Sequence, residues 1–341
     1  MMKTLLVPLG TAALCLPAIA MAQDGDPQRP YTGPVIDVHL HASGAEDNGP
    51  APNGVCPGMA ADLRYTGDRS WPAVVVDMML NPACENPILG PATDEEVMEQ
   101  TIAEMERRNV IGILSSSAED FATWSAAAPG SFMRGHALNI DWEDAPPPAE
   151  IAEDYDAGEF AVLAEVTNQY GGILADDPSF APYWAMAEER GIPVGIHIGN
   201  GPPGAHSFYP QFRIQSPLQL EEVLRAHPRL RVYVMHAGYP FADEMKALFY
   251  YFPQLMVDVG VLQLALTREE YHAFLQDLTE AGFTDRIMFG SDQMNWPGMI
   301  GEGIDAINDA PFLTHEQKKA ILHDNATRFF APELAAMRGG D

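Results

Sequence analysis

Two histidines one residue apart, His39 and His41, close the apolar run "VIDVHLHA" at residues 35–42. Side chains alternate along a strand, so the two imidazoles share a face and can grip one ion or ligand together. Further along the chain, Glu165 lies in "LAEV", His197 in "GIHI", His236 in "VMHAG" and Asp292 in "MFGSD", each at the end of a short apolar run. Burying imidazoles and carboxylates is costly unless they pair with one another or bind a metal. Four imidazoles with two carboxylates suit zinc, manganese, iron or cobalt at a hydrolytic centre. No cysteine belongs to the set, which argues against a structural thiolate zinc. No G-x-S-x-G nucleophile motif occurs, so covalent acyl transfer has no support.

The elements that must position these groups alternate. "TDEEVMEQTIAEMERRN" has a cap residue, early acids and helical apolar spacing. The short apolar runs "VIGILSSS", "FMRGHALNI", "FAVLAEV", "IPVGIHI", "LRVYVMHAG", "LMVDVG" and "DRIMFGSD" read as strands. "PPPAEIAEDYDAG", "SFAPYWAMAEERG", "SPLQLEEVLRAHP", "FADEMKALFYYFP", "TREEYHAFLQDLTEAG" and "THEQKKAILHDNATRFF" read as helices. With "VIDVHLHA" this gives eight strands, each followed by helical or irregular chain. Such alternation implies a parallel sheet, and eight units close into a (β/α)8 TIM barrel. An open doubly wound sheet is the alternative; its dinucleotide version lacks a G-x-G-x-x-G after the first strand. The six candidate ligands fall at the carboxyl ends of five strands, which in a barrel converge on one mouth. Residues 42–95, rich in Pro, Gly and Asn around the run "AVVVDMML", form a long excursion after the first strand rather than a domain.

The ordered set "DVHLH", "PVGIHIG", "VMHAG", "IMFGSD" and "DNATRFF" resembles the amidohydrolase superfamily, and within it the amidohydrolase-related (amidohydrolase 2) branch. The resemblance spans most of the chain and implies a barrel with a divalent metal at its mouth, zinc first and manganese, iron or cobalt as alternatives. It implies His39, His41 and His197 as ligands and Asp292 as ligand and proton shuttle. His236 would bind a second ion in two-metal members and assist catalysis in one-metal members. Many two-metal members bridge their ions with a carboxylated lysine on the fourth strand. Here the lysines are Lys3, Lys246, Lys318 and Lys319, none on that strand, and Glu165 takes the place. Glu165 is a bridge between two ions or a group that orients a histidine. The expected reaction is hydrolysis of a C–N or C–O bond in an amide, lactone or ester of a small molecule by metal-activated water. A mononuclear decarboxylase or hydratase of an aromatic or unsaturated acid is the alternative, and a non-enzymatic exported metal- or ligand-binding barrel is a third reading.

Loops at a barrel mouth carry specificity. His206 and Arg213, after the fifth strand, and Tyr170 and Asn168, after the fourth, are substrate-binding candidates. Asp37 shares the face of His39 and His41. Asp258 on the seventh strand lines the interior or forms a salt bridge there. His136, His227, His272, His315 and His323 fall on a weaker strand or on helices and carry no expected chemistry.

Residues 1–22 read as a cleaved secretory signal, with Lys3, an apolar stretch and "AMA" before Gln23; an uncleaved anchor is the alternative. Residues 23–341 would then form a single periplasmic or secreted barrel domain, without stable membrane insertion. Cys15 falls in the signal. Cys56 and Cys84 remain as a disulfide candidate, suited to an oxidising compartment. The formal net charge of −29 repels nucleic acid and anionic membranes, so the expected partner is a small-molecule substrate.

Overall fold

The computed structural model describes residues 28–64, 66–199 and 212–339. Eight strands form one parallel sheet in chain order: β1 (Val35–His41), β2 (Val110–Ser115), β3 (Phe132–Leu138), β4 (Val162–Val166), β5 (Val194–His197), β6 (Val232–Met235), β7 (Met256–Asp258) and β8 (Ile287–Met288). Most of their residues are buried, as expected of parallel strands covered on both faces. The sheet curls into a nearly closed barrel. Val38 N–H donates to Phe289 O at 3.0 Å and Asp292 N–H to His39 O at 2.9 Å, joining the last strand and its exit to the first.

The helices cover the outside, and their boundaries follow local chemistry. In α1 (Asp94–Arg108) the Thr93 side chain caps Glu96 N–H, acids fill the first turn and arginines the last, so charge complements the helix dipole at both ends. Helix α2 is Ala118–Ala127, α3 Pro148–Asp156 and α4 Ala181–Arg190, the last ending at Gly191 in the left-handed conformation (φ 68°). Then come α5 (Glu221–Ala226), α6 (Ala242–Tyr251), α7 (Arg268–Leu278) and α8 (Met299–Asn308). The sequence pattern does not predict α8. Its two glycines lower helix propensity, yet Gly303 is needed for close packing: a Cβ there would lie 2.8 Å from the buried Phe289 ring, whereas one at Gly301 would meet only the movable ends of Glu104, Arg107 and Arg108.

Ile36, Ile113, Met133, Val162, Tyr233, Met256 and Met288 fill the barrel interior. The C-terminal helices Asn325–Phe329 and Ala331–Gly339 close its floor. Ala326, Phe330 and Leu334 join that interior cluster, and Arg231 ion-pairs with Glu333 at 2.6 Å. The excursion after β1 carries a helix (Trp71–Leu80) and a two-stranded antiparallel ribbon, Gly54–Val55 against Ile88–Leu89. Cys56 and Cys84 are bonded within it, their Cα atoms 5.9 Å apart. The excursion docks on the mouth: Gly58 N–H donates to Leu264 O at 2.7 Å, and Trp296 Nε1–H to Asn53 Oδ1 at 2.7 Å. No helix among the described residues is long and apolar enough to cross a membrane.

Candidate active site

The six side chains singled out by type and spacing meet at the carboxyl ends of the strands. His39 and His41 leave β1 on one face, their ring centroids 5.1 Å apart. Glu165 rises from β4 between two groups of imidazoles. Its Oε2 lies 3.7 Å from His41 Nε2 and 4.0 Å from His39 Nε2. Its Oε1 accepts a short hydrogen bond from His197 Nδ1 and lies 3.9 Å from His236 Nε2. His236 Nε2 and His197 Nδ1 are 3.1 Å apart. Asp292 completes the first group, with Oδ1 3.1 Å from His41 Nε2 and 3.7 Å from His39 Nε2. Two donor sets therefore face each other across one carboxylate: His39, His41 and Asp292 on one side, His197 and His236 on the other.

The surroundings fix these groups. His236 Nδ1 donates to Gly260 O at 2.9 Å, which turns Nε2 toward Glu165. Gln293 brackets His41, accepting from its N–H at 3.0 Å and donating to its carbonyl at 2.6 Å. The Ser115 hydroxyl accepts from Glu165 N–H at 3.2 Å. Tyr170 Oη lies 3.1 Å from His197 Nε2. Asp37 Oδ1 accepts from His39 N–H (3.0 Å) and Ser291 N–H (2.9 Å), tying β1 to the exit of β8. Left-handed, non-glycine backbone gathers here: His236 (φ 61°), Ala237 (φ 50°), Val261 (φ 59°), Asp292 (φ 50°) and Met294 (φ 47°). Such conformations cost energy and cluster at functional sites.

Charge balance follows from burial and proximity. Burial opposes ionisation of Asp292, but His39 and His41 outweigh it and hold the carboxyl well below the usual range. Burial likewise works against Glu165, and His197, His236 and His39 reverse it. Burial also works against a charged His39, yet Asp292, Asp258 and Glu165 push it up to about 10. His197 is lowered by burial and then by His236. Burial pushes the Asp37 carboxyl up to about 7.

Clustered imidazoles and carboxylates with depressed acids are the chemistry of a divalent-metal site, and the donors fit one. His39 Nε2 is fully buried, turned toward Glu165 and Asp292, and has no hydrogen-bond partner. Donor atoms of His39, His41 and Glu165, and again of Glu165, His197 and His236, lie within 4.8 Å of one another.

Of the other candidates, Tyr170 reaches the site through His197. Asn168 is buried and donates to Ile173 O at 2.6 Å. His206 and the Arg213 side chain lie outside the described residues; the Arg213 backbone belongs to the 3-10 turn Phe212–Gln215. The five remaining histidines stand apart from the cluster. His136 packs on Phe160, His227 lies against Glu188, His272 donates to Ala306 O, His315 lies by Arg29 and His323 pairs with Asp324. Ser115, Gln293 and Gly260, which hold the ligand-type residues in place, were not picked out from sequence. Only Gln293, beside Asp292, carried a positional hint.

A (β/α)8 barrel with imidazoles and carboxylates gathered at the carboxyl ends of its strands belongs to the class of metal-dependent barrel enzymes. Solved structures share the fold. An uncharacterised TIM-barrel protein from Bordetella bronchiseptica is 20% identical with a TM-score of 0.61, over 90% of this chain and 100% of that one. A probable 2-pyrone-4,6-dicarboxylic acid hydrolase from Acinetobacter baumannii, with citric acid bound, is 16% identical at TM-score 0.55, over 88% and 100%. A 5-carboxyvanillate decarboxylase mutant from Novosphingobium aromaticivorans, with bound manganese and a nitrobenzoic acid, is 13% identical at TM-score 0.54, over 89% and 99%. Residues 36–331 match the amidohydrolase family model of the amidohydrolase 2 type, and the chain belongs to that family. Its members are divalent-metal-dependent enzymes, hydrolases and decarboxylases among them. No curated protein matches the chain in a sequence comparison.

Proposed function

We propose that the protein is a two-metal hydrolase that cleaves a C–N or C–O bond in an amide, lactone or ester. The observation that carries this reading is the division of Glu165, whose two oxygens face different imidazole pairs. His39, His41 and Asp292 with Oε2 would hold one ion, and His197 and His236 with Oε1 the other. Zinc suits this imidazole-rich set best, with manganese, iron and cobalt as alternatives. Bound ions supply Lewis acidity and bring the pKa of water from about 15.7 down toward about 7.

The chain's own groups do the rest. With His39 and His41 neutral as ligands, Asp292 is kept ionised by the cation they would hold in place of their own charge. Its Oδ2, turned toward His236 rather than His41, accepts the proton of the attacking water. That proton returns to the nitrogen or oxygen that leaves as its bond to the carbonyl carbon breaks. Tyr170 presents a hydroxyl beside His197, positioned to donate to the substrate carbonyl. We place the protein outside the cytoplasm, behind a signal at residues 1–22; the Cys56–Cys84 bond supports an oxidising compartment.

The test is a screen of metal-loaded protein against amides, lactones, esters and carboxylic acids. The expected result is hydrolysis that stops on chelation. Release of carbon dioxide from an aromatic acid with no hydrolytic turnover would replace this reading with the decarboxylase one.

A further inference from the structure

Asp258, at the end of β7, is fully buried and has no part in the reaction described above. Its two oxygens are divided. Oδ1 accepts from the backbone N–H groups of Gly260 (2.8 Å) and His236 (3.1 Å). Oδ2 lies 3.2 Å from His39 Nδ1. Two glycines make room for this pairing. A Cβ at Gly260 would stand 2.9 Å from His39 Nδ1 and 3.1 Å from Asp258 Oδ1; one at Gly290 would stand 2.8 Å from His39 Cβ and 3.1 Å from Asp258 Cγ.

We infer that Asp258 is a positioning residue that couples the two donor sets: it keeps the proton of His39 on Nδ1, leaving Nε2 for the ion, and it anchors the left-handed backbone of His236. The inference rests on the two-metal reading for its stoichiometry, but the role toward His39 holds for one ion as well. A carboxylate can only accept, so His39 must present a proton on Nδ1. The unpartnered Nε2 is then the atom turned toward Glu165 and Asp292. The same carboxylate holds His236 N–H at φ 61°. Ligating histidines are commonly oriented in this way by an acceptor on the other ring nitrogen.

Asp258→Asn gives a directional test. The two backbone N–H groups demand an oxygen, so the amide must keep its oxygen there and turn its NH2 toward His39. Nδ1 then has to accept, and the proton moves to Nε2, the ligand atom. Apo protein is titrated with Zn2+ by calorimetry, and bound zinc is counted by elemental analysis. Histidine ring 15N spectra are recorded for both proteins.

The expected result is two zinc ions in the wild type, with His39 Nδ1 protonated. In Asp258→Asn one ion binds about 10- to 100-fold more weakly, and His39 Nδ1 is unprotonated. Unchanged zinc affinities at both sites, or a His39 Nδ1 proton that stays in place, would overturn the role of Asp258. So would a loss of thermal stability with both readouts unmoved. If Asp258→Asn does not fold, the wild-type spectrum decides: an unprotonated His39 Nδ1 in the zinc-loaded protein refutes the inference. A wild type that takes up one ion sinks the two-metal reading instead, and the His39 spectrum still judges Asp258.

Discussion

Replacing Glu165 with glutamine tests the shared carboxylate most directly. The substitution keeps the shape of the side chain and turns one acceptor oxygen into an NH2 donor. In the native site each oxygen serves a different set, Oε2 at 3.7–4.0 Å from the His41 and His39 nitrogens and Oε1 beside His197 and His236. An amide offers an acceptor to one set only. It also removes one negative charge from the site, worth about 4 kcal/mol per unit of opposing charge at about 4 Å and an effective dielectric of ~20, so a divalent ion should lose at least ~10^3-fold in affinity. Elemental analysis of dialysed Glu165→Gln should therefore find about half the wild-type metal. Circular dichroism should show the barrel intact, because Glu165 N–H, not its carboxylate, bonds Ser115. Metal content equal to wild type after dialysis would refute the shared-carboxylate reasoning.

Asp292→Asn keeps the contact with His41 but cannot carry a proton. Its turnover should fall about 10^2- to 10^4-fold in the hydrolytic assay found by the screen, and an unchanged kcat would discard the proton-transfer role. Tyr170→Phe should raise KM or lower kcat for hydrolysis without changing metal content, because it removes the hydroxyl beside His197 and keeps the ring packed on that imidazole at 4.6 Å between centroids; lost metal would make the hydroxyl a support of the site instead. Cys56→Ser with Cys84→Ser opens a loop of separation 28 and should cost about 3–4 kcal/mol in the chain-entropy model, read by urea denaturation. Burial and then Arg134 hold His136 below its ordinary 6.5, so the unfolded chain binds the extra proton first. Stability of chelated protein should therefore drop as pH falls from about 6.5, and His136→Phe should flatten that slope in thermal melts.

The barrel was legible because its strands are near-continuous apolar runs and its helices carry caps and periodic faces, as in "TDEEVMEQTIAEMERRN". The ligand-type residues were legible because each sits where a run ends. What sequence could not show is tertiary in origin. Helix α8 contains two glycines, and the purpose of Gly303 is visible only against the Phe289 ring. "AVVVDMML" left its state open, since an apolar run of that length fits helix or strand; it is part of the helix Trp71–Leu80, packed beneath the ribbon. Asp258 was legible as an interior or salt-bridging residue, and it pairs with His39 at 3.2 Å, but which groups it would meet was not, because His39 and His236 are 219 and 22 residues away. The division of Glu165 depends on a side-chain position that no spacing encodes.

Phe330 and Leu334, wedged under the strands with the edge of Phe330 against Tyr233 at 5.7 Å between ring centres, make the protein a cup and not a tube. Reactant and product must share one doorway. Under the proposed hydrolysis, bulky leaving groups would exit past the rim where the disulfide-stapled excursion sits, so trimming that excursion should alter how fast products escape before it alters the bond-breaking itself.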